Sequence, residues 1–175
     1  AVVCQGKPPE NLPRGAPLIL VPDARKALAR LACNWYENPA KSLKIIGVTG
    51  TNGKTTTTYL VEHIARVAGK RTGVIGTVGT VIGDVHEKSS HTTPESPDLQ
   101  HLLARMRDAR CDVVAMEVSS HAIALDRIGG IHYEAAAFTN LTEDHLDFHK
   151  TMDAYCDAKA ELFRRCSRAV INVDD

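Results

Sequence analysis

The sequence predicts an α/β domain: a mostly parallel sheet with helices on both faces. Two observations carry this. From Lys44 onward, short β-branched apolar runs alternate with stretches of helical periodicity. Ile45–Val48, Val113–Val118 and Ala135–Phe138 are continuous apolar runs, as expected of strands buried on both faces. In such sheets ligands bind beyond the carboxyl ends of the strands.

Taken in order, Ala1–Cys4 reads as a strand, followed by a connector holding Pro8, Pro9, Pro13 and Pro17, then a strand at Leu18–Val21. Pro22-Asp23 opens a helix with an apolar face of Leu28, Leu31, Ala32 and Trp35. Gly50–Gly53 is a turn. The helix Thr55–Ala68 carries Tyr59, Leu60, Ile64 and Val67 at helical spacing and ends at Gly69, a glycine suited to a C-cap. Thr72–Val78 is expected as a strand, and Gly73, Gly76 and Gly79 read as a turn and bulge, their spacing being wrong for a dinucleotide fingerprint. Ser96 as N-cap with Pro97 at the first helical position opens a helix through Leu99, Leu102, Leu103 and Met106. Thr151–Cys166 is a helix and Ala169–Val173 a closing strand.

At 175 residues, 43% hydrophobic and 24% charged, the chain is long enough for one globular domain with a real core. Its 21 Lys and Arg balance 21 Asp and Glu, so the basic excess of a nucleic-acid binder is absent and no nucleic-acid partner is expected. The five cysteines are scattered with no CxxC pair, which suggests reduced thiols and a cytoplasmic location. No apolar run approaches the ~18 residues of a membrane helix. The start at Ala1 and the stop soon after a strand-like run lead us to expect a fragment.

Gly50-Thr51-Asn52-Gly53-Lys54-Thr55-Thr56 ends the first core strand and opens a helix, the setting a phosphate loop needs. Glycines let backbone N–H groups converge on an anion and the helix dipole assists. Lys54 reaches the terminal phosphates and Thr55 offers a hydroxyl to Mg²⁺. The usual pattern has glycine where Val48 stands, so the loop is a shorter variant.

In the last helix, Met152, Tyr155, Cys156, Leu162, Phe163 and Cys166 form an apolar stripe, and Lys159 falls on it. A lysine there must snorkel, pair or lose its proton. A neutral amine can add CO₂ and become a carbamate, a carboxylate-like metal ligand. Glu117 ends one core strand and Asp144-His145 follows another, at the same sheet edge as Thr55, a set that suits one or two Mg²⁺ ions. His63, His101 and His132 read as surface residues.

GTNGKTT (Gly50–Thr56), HTTP (His91–Pro94), MEVSSHA (Met116–Ala122), FTNL (Phe138–Leu141), DHLDFH (Asp144–His149) and DAYCDAKAELF (Asp153–Phe163) together resemble the central domain of the Mur ligases. The resemblance runs from about Ala16 to Asp175, and is greatest to the branch that adds the third residue of the peptidoglycan stem peptide. It implies ATP-dependent amide-bond synthesis through an acyl phosphate on the D-Glu carboxylate of UDP-MurNAc-L-Ala-D-Glu, attacked by a diamino acid. Carried over, Gly50, Thr51, Asn52, Gly53, Lys54, Thr55 and Thr56 hold the ATP phosphates, and Thr55 and Glu117 hold one Mg²⁺. His145 and a carbamylated Lys159 (N6-carboxylysine) serve a second ion, while Thr92, Thr93, Ser119 and Arg127 contact the UDP-linked substrate. Lys54, His145 and Lys159 are the expected catalytic residues. Residues 1–40 are then the end of an N-terminal UDP-substrate-binding domain with its linker, and 41–175 a truncated central ATP-binding domain of a monomeric three-domain enzyme, whose C-terminal amino-acid-binding domain is expected to lie outside this chain.

Some family members have asparagine where His91 stands and glutamine where Leu125 stands, which puts single substrate contacts in question rather than the reaction class. meso-Diaminopimelate is expected over L-lysine only because it is the commoner choice in the family. Rival readings are a folate- or cyanophycin-type ligase of the same superfamily, a non-catalytic assembly partner, and a simple NTPase switch. Thr55–Thr58 and Thr92–Pro94 favour the cell-wall branch, and the retained Lys54, Glu117, His145 and Lys159 favour catalysis.

Overall fold

Two short strands, β1 (Val2–Gln5) and β2 (Leu18–Val21), pair in parallel apart from the main sheet, and helix α1 (Ala24–Trp35) follows them. The computed structural model describes residues 1–8, 10–12, 15–89 and 91–175; Pro9 and Pro13 of the proline-rich connector lie outside the described residues. The main sheet draws on β3 (Lys44–Thr49), β4 (Thr72–Ile75), β5 (Thr80–Ile82), β6 (Val85–Glu87), β7 (Val113–Glu117), β8 (Ala135–Phe138) and β9 (Ala169–Ile171). Their spatial order is β6-β5-β4-β7-β3-β8-β9. The last five are parallel, and β5 and β6 add an antiparallel edge that the sequence reading did not separate from β4. Thr72–Val78 is therefore not one strand: β4 stops at Ile75, where Gly76 and Gly79 exchange N–H···O bonds of 3.1 and 3.2 Å and turn the chain back.

Register decides which side chains share a face. Ile45, Ile75, Val114, Met116 and Ala136 point to one side, where they meet Leu99, Leu103 and Met106 of α3 (Ser96–Asp108) in the main core. Each such fully buried Val, Ile, Leu or Met contributes about 1.5–3 kcal/mol. Gly47 lies on that same side by register, and a Cβ there would stand 2.8 Å from the Tyr133 ring, which leaves room only for glycine. Helix α2 (Lys54–Val67) covers the other side, where Thr72 Oγ1 donates to Glu62 Oε1 at 2.8 Å. Helices thus lie on both faces, as the sequence predicts.

Two helices bury a different set of residues from their expected apolar faces, Ala32 of α1 excepted. In α1 the buried residues are Ala29, Ala32 and Cys33, while Leu28 and Leu31 are exposed and Trp35 is 81% exposed. The reason is steric: the Gly129-Gly130 turn comes so close that added Cβ atoms would lie 2.7 Å from Ala29 Cβ and 2.4 Å from Cys33 Sγ, so only small residues fit. In α2 only Thr58 is buried, and Leu60, Ile64 and Val67 face outward. Glu95, not Ser96, is the N-cap of α3, with Ser96-Pro97 as its first turn. Three shorter helices complete the chain: α4 (Ser120–Ala124), α5 (Leu146–His149) and α6 (Met152–Ala160). The expected helix Thr151–Cys166 stops at Ala160 and resumes as a 3-10 turn at Phe163–Arg165. Cys156 of its predicted stripe is exposed, and the buried line is Tyr155, Lys159 and Leu162.

Candidate phosphate-binding site

The parallel register brings the ends of β3, β7 and β8 to one edge, with Val48 opposite Glu117 and Thr49 opposite Phe138. Gly50–Gly53 leaves that edge and hands over to α2. Gly50 (φ 145°) and Gly53 (φ 80°) take conformations that favour glycine, and a Cβ on Gly50 would fall 1.9 Å from Thr139 Oγ1. Thr57 N–H is the first to bond within the helix, to Gly53 O at 2.9 Å. The amides of Lys54, Thr55 and Thr56 therefore head the helix without intrahelical partners, an arrangement that attracts anions.

Two lysines converge on the loop. Lys54 Nζ donates to Gly50 O (2.9 Å) and Thr51 O (2.7 Å), and Lys159 Nζ donates to the same Gly50 O at 2.9 Å. Lys159 does not snorkel: it is 3% exposed, with its Nζ 4.3 Å from the centroid of the Tyr155 ring. Burial, and then the nearby Lys54 charge, push its amine down to about 7. Lys54 is also lowered by burial, against the opposing pull of Glu117 and Asp144. Asp144 is exposed, and its charge acts on both lysines, a role that the sequence did not single out.

Glu117 is 1% exposed, its Oε1 accepting from Thr77 N (2.9 Å) and its Oε2 from Thr77 Oγ1 (3.1 Å). Thr92 Oγ1 lies 2.9 Å from Thr77 Oγ1. Thr93 is buried, its hydroxyl donating to Glu117 O (2.9 Å) and accepting from Ser119 N (3.1 Å). Ser119 Oγ caps α4 by accepting from Ala122 N. Arg127 donates to Thr93 O (3.1 Å) and pairs with Glu95 (2.7 Å), which also meets Arg25 of α1 (3.3 Å). The four expected substrate contacts thus form one connected segment beside Glu117, with Thr93 and Arg127 engaged internally.

His145 (φ 52°) caps α5, 3.4 Å from Asp144, its ring edge-on to that of His121. His149, buried behind it, bonds Ser120 Oγ at 2.9 Å. Burial lowers both His121 and His149, and the Lys159 charge lowers His149 further. His63, His101 and His132 are exposed, as expected. His121, His149, Tyr155 and Asn140 were absent from the sequence-derived site. The only signal was their presence in the motif stretches MEVSSHA, DHLDFH, DAYCDAKAELF and FTNL.

The donor set fits Mg²⁺: Thr55 and Glu117 offer hard oxygens beside the loop, and Mg²⁺ takes one or two carboxylates together with substrate phosphates. Among the described residues no group of three or more His, Cys, Asp or Glu is arranged to hold a metal.

A glycine loop between strand end and helix head, with a lysine at its base, defines an α/β domain of the phosphate-binding kind. The chain belongs to the Mur ligase middle-domain family, whose profile matches residues 48–175. It is 48% identical over 174 residues to UDP-N-acetylmuramoyl-L-alanyl-D-glutamate--2,6-diaminopimelate ligase 1 of Clostridium acetobutylicum, covering 99% of this chain and 36% of that protein. Identity to the corresponding ligase of Geobacillus thermodenitrificans is 51% over 168 residues, covering 91% of this chain and 34% of that protein. A solved ligase structure of the same name superposes with a TM-score of 0.80 at 34% identity, over 93% of this chain and 34% of that one. The Yersinia pestis folylpolyglutamate/dihydrofolate synthase complexed with AMPPNP and Mn ion gives a TM-score of 0.61 at 26% identity, over 93% of this chain and 44% of that one. The chain spans about a third of the length of the curated relatives it matches. No helix among the described residues is long and apolar enough to cross a membrane.

Proposed function

We propose that this chain is the nucleotide-binding part of an ATP-dependent amide-bond ligase of peptidoglycan precursor synthesis, joining meso-diaminopimelate to UDP-MurNAc-L-Ala-D-Glu. The observation that carries this is the meeting of Lys54 and Lys159 on one carbonyl at the head of α2, beside Glu117. The names of the relatives supply the substrates. Residues 1–40 are the end of a UDP-substrate-binding domain and 41–175 part of the ATP-binding domain of a monomeric cytoplasmic enzyme.

In the reaction the D-Glu carboxylate attacks the γ-phosphorus of ATP, giving an acyl phosphate and ADP. The amine then attacks the acyl carbon, phosphate leaves, and the amine loses a proton. Two anions must approach each other, so the task is neutralisation and positioning, and no protein nucleophile is needed. Lys54 and the amides heading α2 hold the phosphates. Mg²⁺, held by Thr55 and Glu117 with a second ion at His145, would offset the charge of both anions. The lowered pKa of Lys159 favours its neutral amine, which could add CO₂ with release of a proton to give a carbamate whose carboxylate would serve that second ion. Thr92, Thr93, Ser119 and Arg127 orient the UDP-linked acceptor.

The test is phosphate release by the full-length protein with ATP, Mg²⁺ and UDP-MurNAc-L-Ala-D-Glu, adding diaminopimelate or lysine separately. Release that depends on diaminopimelate is expected. Release indifferent to both amino acids would replace the ligase with an NTPase or another acceptor.

A further inference from the structure

The first half of the phosphate loop has its polar groups already engaged, and by residues far away in sequence. Thr51 N donates to Asn140 O (2.9 Å) and Asn52 N to Asn140 Oδ1 (2.9 Å). Asn140 Nδ2 returns a bond to Asn52 O (3.2 Å), which Thr139 Oγ1 also reaches at 2.7 Å. One carboxamide thus satisfies both the N–H and the C=O of a single loop residue, Asn52, which only its donor–acceptor pair can do.

Thr51 Oγ1 has one proton and two lone pairs. It meets three groups: Thr142 O (3.1 Å), Thr142 N (3.0 Å) and Tyr155 Oη (3.2 Å). The Thr142 carbonyl can only accept, so it takes the Thr51 proton. The Thr142 amide can only donate, so it fills one lone pair. For all three contacts to be hydrogen bonds, Tyr155 must donate to the other lone pair. The ring of that same tyrosine forms the wall over Lys159 Nζ at 4.3 Å.

We propose that Asn140 and Tyr155 are positioning residues of the phosphate loop. Asn140 holds the backbone N–H and C=O of Asn52 and Tyr155 holds the hydroxyl of Thr51, so the strand-end segment after β8 and helix α6 together set the loop before any nucleotide arrives. This rests on the proposed function, since it requires the loop to bind a nucleotide. It assigns the second half, Gly53–Thr56, the anion, and the first half the scaffold. Tyr155 also couples the loop to Lys159, because one side chain touches both.

The experiment is equilibrium titration of the full-length protein with ATP and Mg²⁺, without acceptor or amine, beside the KM for the UDP-linked acceptor and the melting temperature. Asn140→Ala is expected to weaken ATP by about tenfold and Tyr155→Phe by a few-fold, the range of one or two lost hydrogen bonds, with the acceptor KM unmoved. In a Thr51→Val background, Tyr155→Phe should add no further loss, because its partner is already gone. Wild-type ATP affinity in both single variants would overturn the proposal. So would equal losses of ATP and acceptor binding with a lowered melting temperature, which mark general loosening. Tyr155→Phe keeps the ring and the fold, so the question stays answerable if Asn140→Ala does not fold. Failure of the parent protein to bind ATP would defeat the proposed function and this inference together, whereas parent binding with unaffected variants defeats only the inference.

Discussion

Helix α2 turns Leu60, Ile64 and Val67 outward, while α6 turns Lys159 inward beneath Tyr155. Both helices touch the phosphate loop, and in both the hydrophobic pattern is a poor guide to the side that is buried. What the two share is polar attachment. α2 is held at its head by Lys54 on Gly50 and Thr51, and α6 by Thr151 capping Ala154 N, Tyr155 on Thr51 and Lys159 on Gly50. An exposed aliphatic forgoes about 1.5–3 kcal/mol. A buried charge stripped of its partner costs about 3–5 kcal/mol. Near the loop, the polar links therefore fix how each helix is rotated.

Removing the inward lysine breaks the comparison most severely. Lys159→Ala is expected to abolish ligation by the full-length enzyme, a loss of about 10²–10³-fold or more in phosphate release, with partial rescue by formate-like anions. An unchanged rate would show that the buried amine has no part in the chemistry. Lys54→Ala, at the head of α2, should weaken ATP roughly 10–100-fold in a binding titration, the range of a charge-assisted hydrogen bond.

Lys159→Met separates the two roles of α6. Burial holds the folded-state pKa at about 7, below the ordinary lysine value of 10.5, so between those values the unfolded chain binds more protons than the folded one. Stability from this group therefore rises with pH across that window, and the full penalty applies below pH 7. In CO₂-free buffer the Met variant should melt higher than the parent at pH 6–7, with the difference shrinking towards pH 10. A pH-independent difference would mean that Lys159 keeps its ordinary pKa. Smallest of all, Leu60→Ser on the outward face of α2 should leave the stability of this chain within about 0.5 kcal/mol in denaturant unfolding.

The sequence made the skeleton legible where a single physical cause dominates. Ala135–Phe138 and Leu18–Val21 are strands with the expected bounds, and Leu99, Leu103 and Met106 of α3 are fully buried as their spacing implies. The rotation of α1 was not legible, because it depends on the approach of Gly129-Gly130, about a hundred residues away in sequence. The same holds at the site. Gly50–Thr56 announces itself by local composition, and Lys159 by its place on an apolar stripe. The bonds of Asn140 to Asn52 and of Tyr155 to Thr51 join positions 88 and 104 residues apart, so only the folded sheet edge brings them into view. The antiparallel pair β5 and β6 was hidden for another reason: three-residue strands carry too short a pattern to read.

The sharing of Gly50 O by two lysines has a consequence for how a nucleotide arrives. The chain has a formal net charge of zero, so it exerts little long-range pull on a polyanion, and association should respond weakly to ionic strength. At contact the situation reverses. While Lys159 is protonated and not yet carbamylated, the two ammonium groups on one carbonyl repel each other, and a phosphate entering between them would relieve that repulsion at distances well inside the Debye length of about 8 Å. Added salt screens such a partly buried encounter poorly. On the proposed function, discrimination among nucleotides would then lie in the dissociation rate, with capture left to ordinary diffusion.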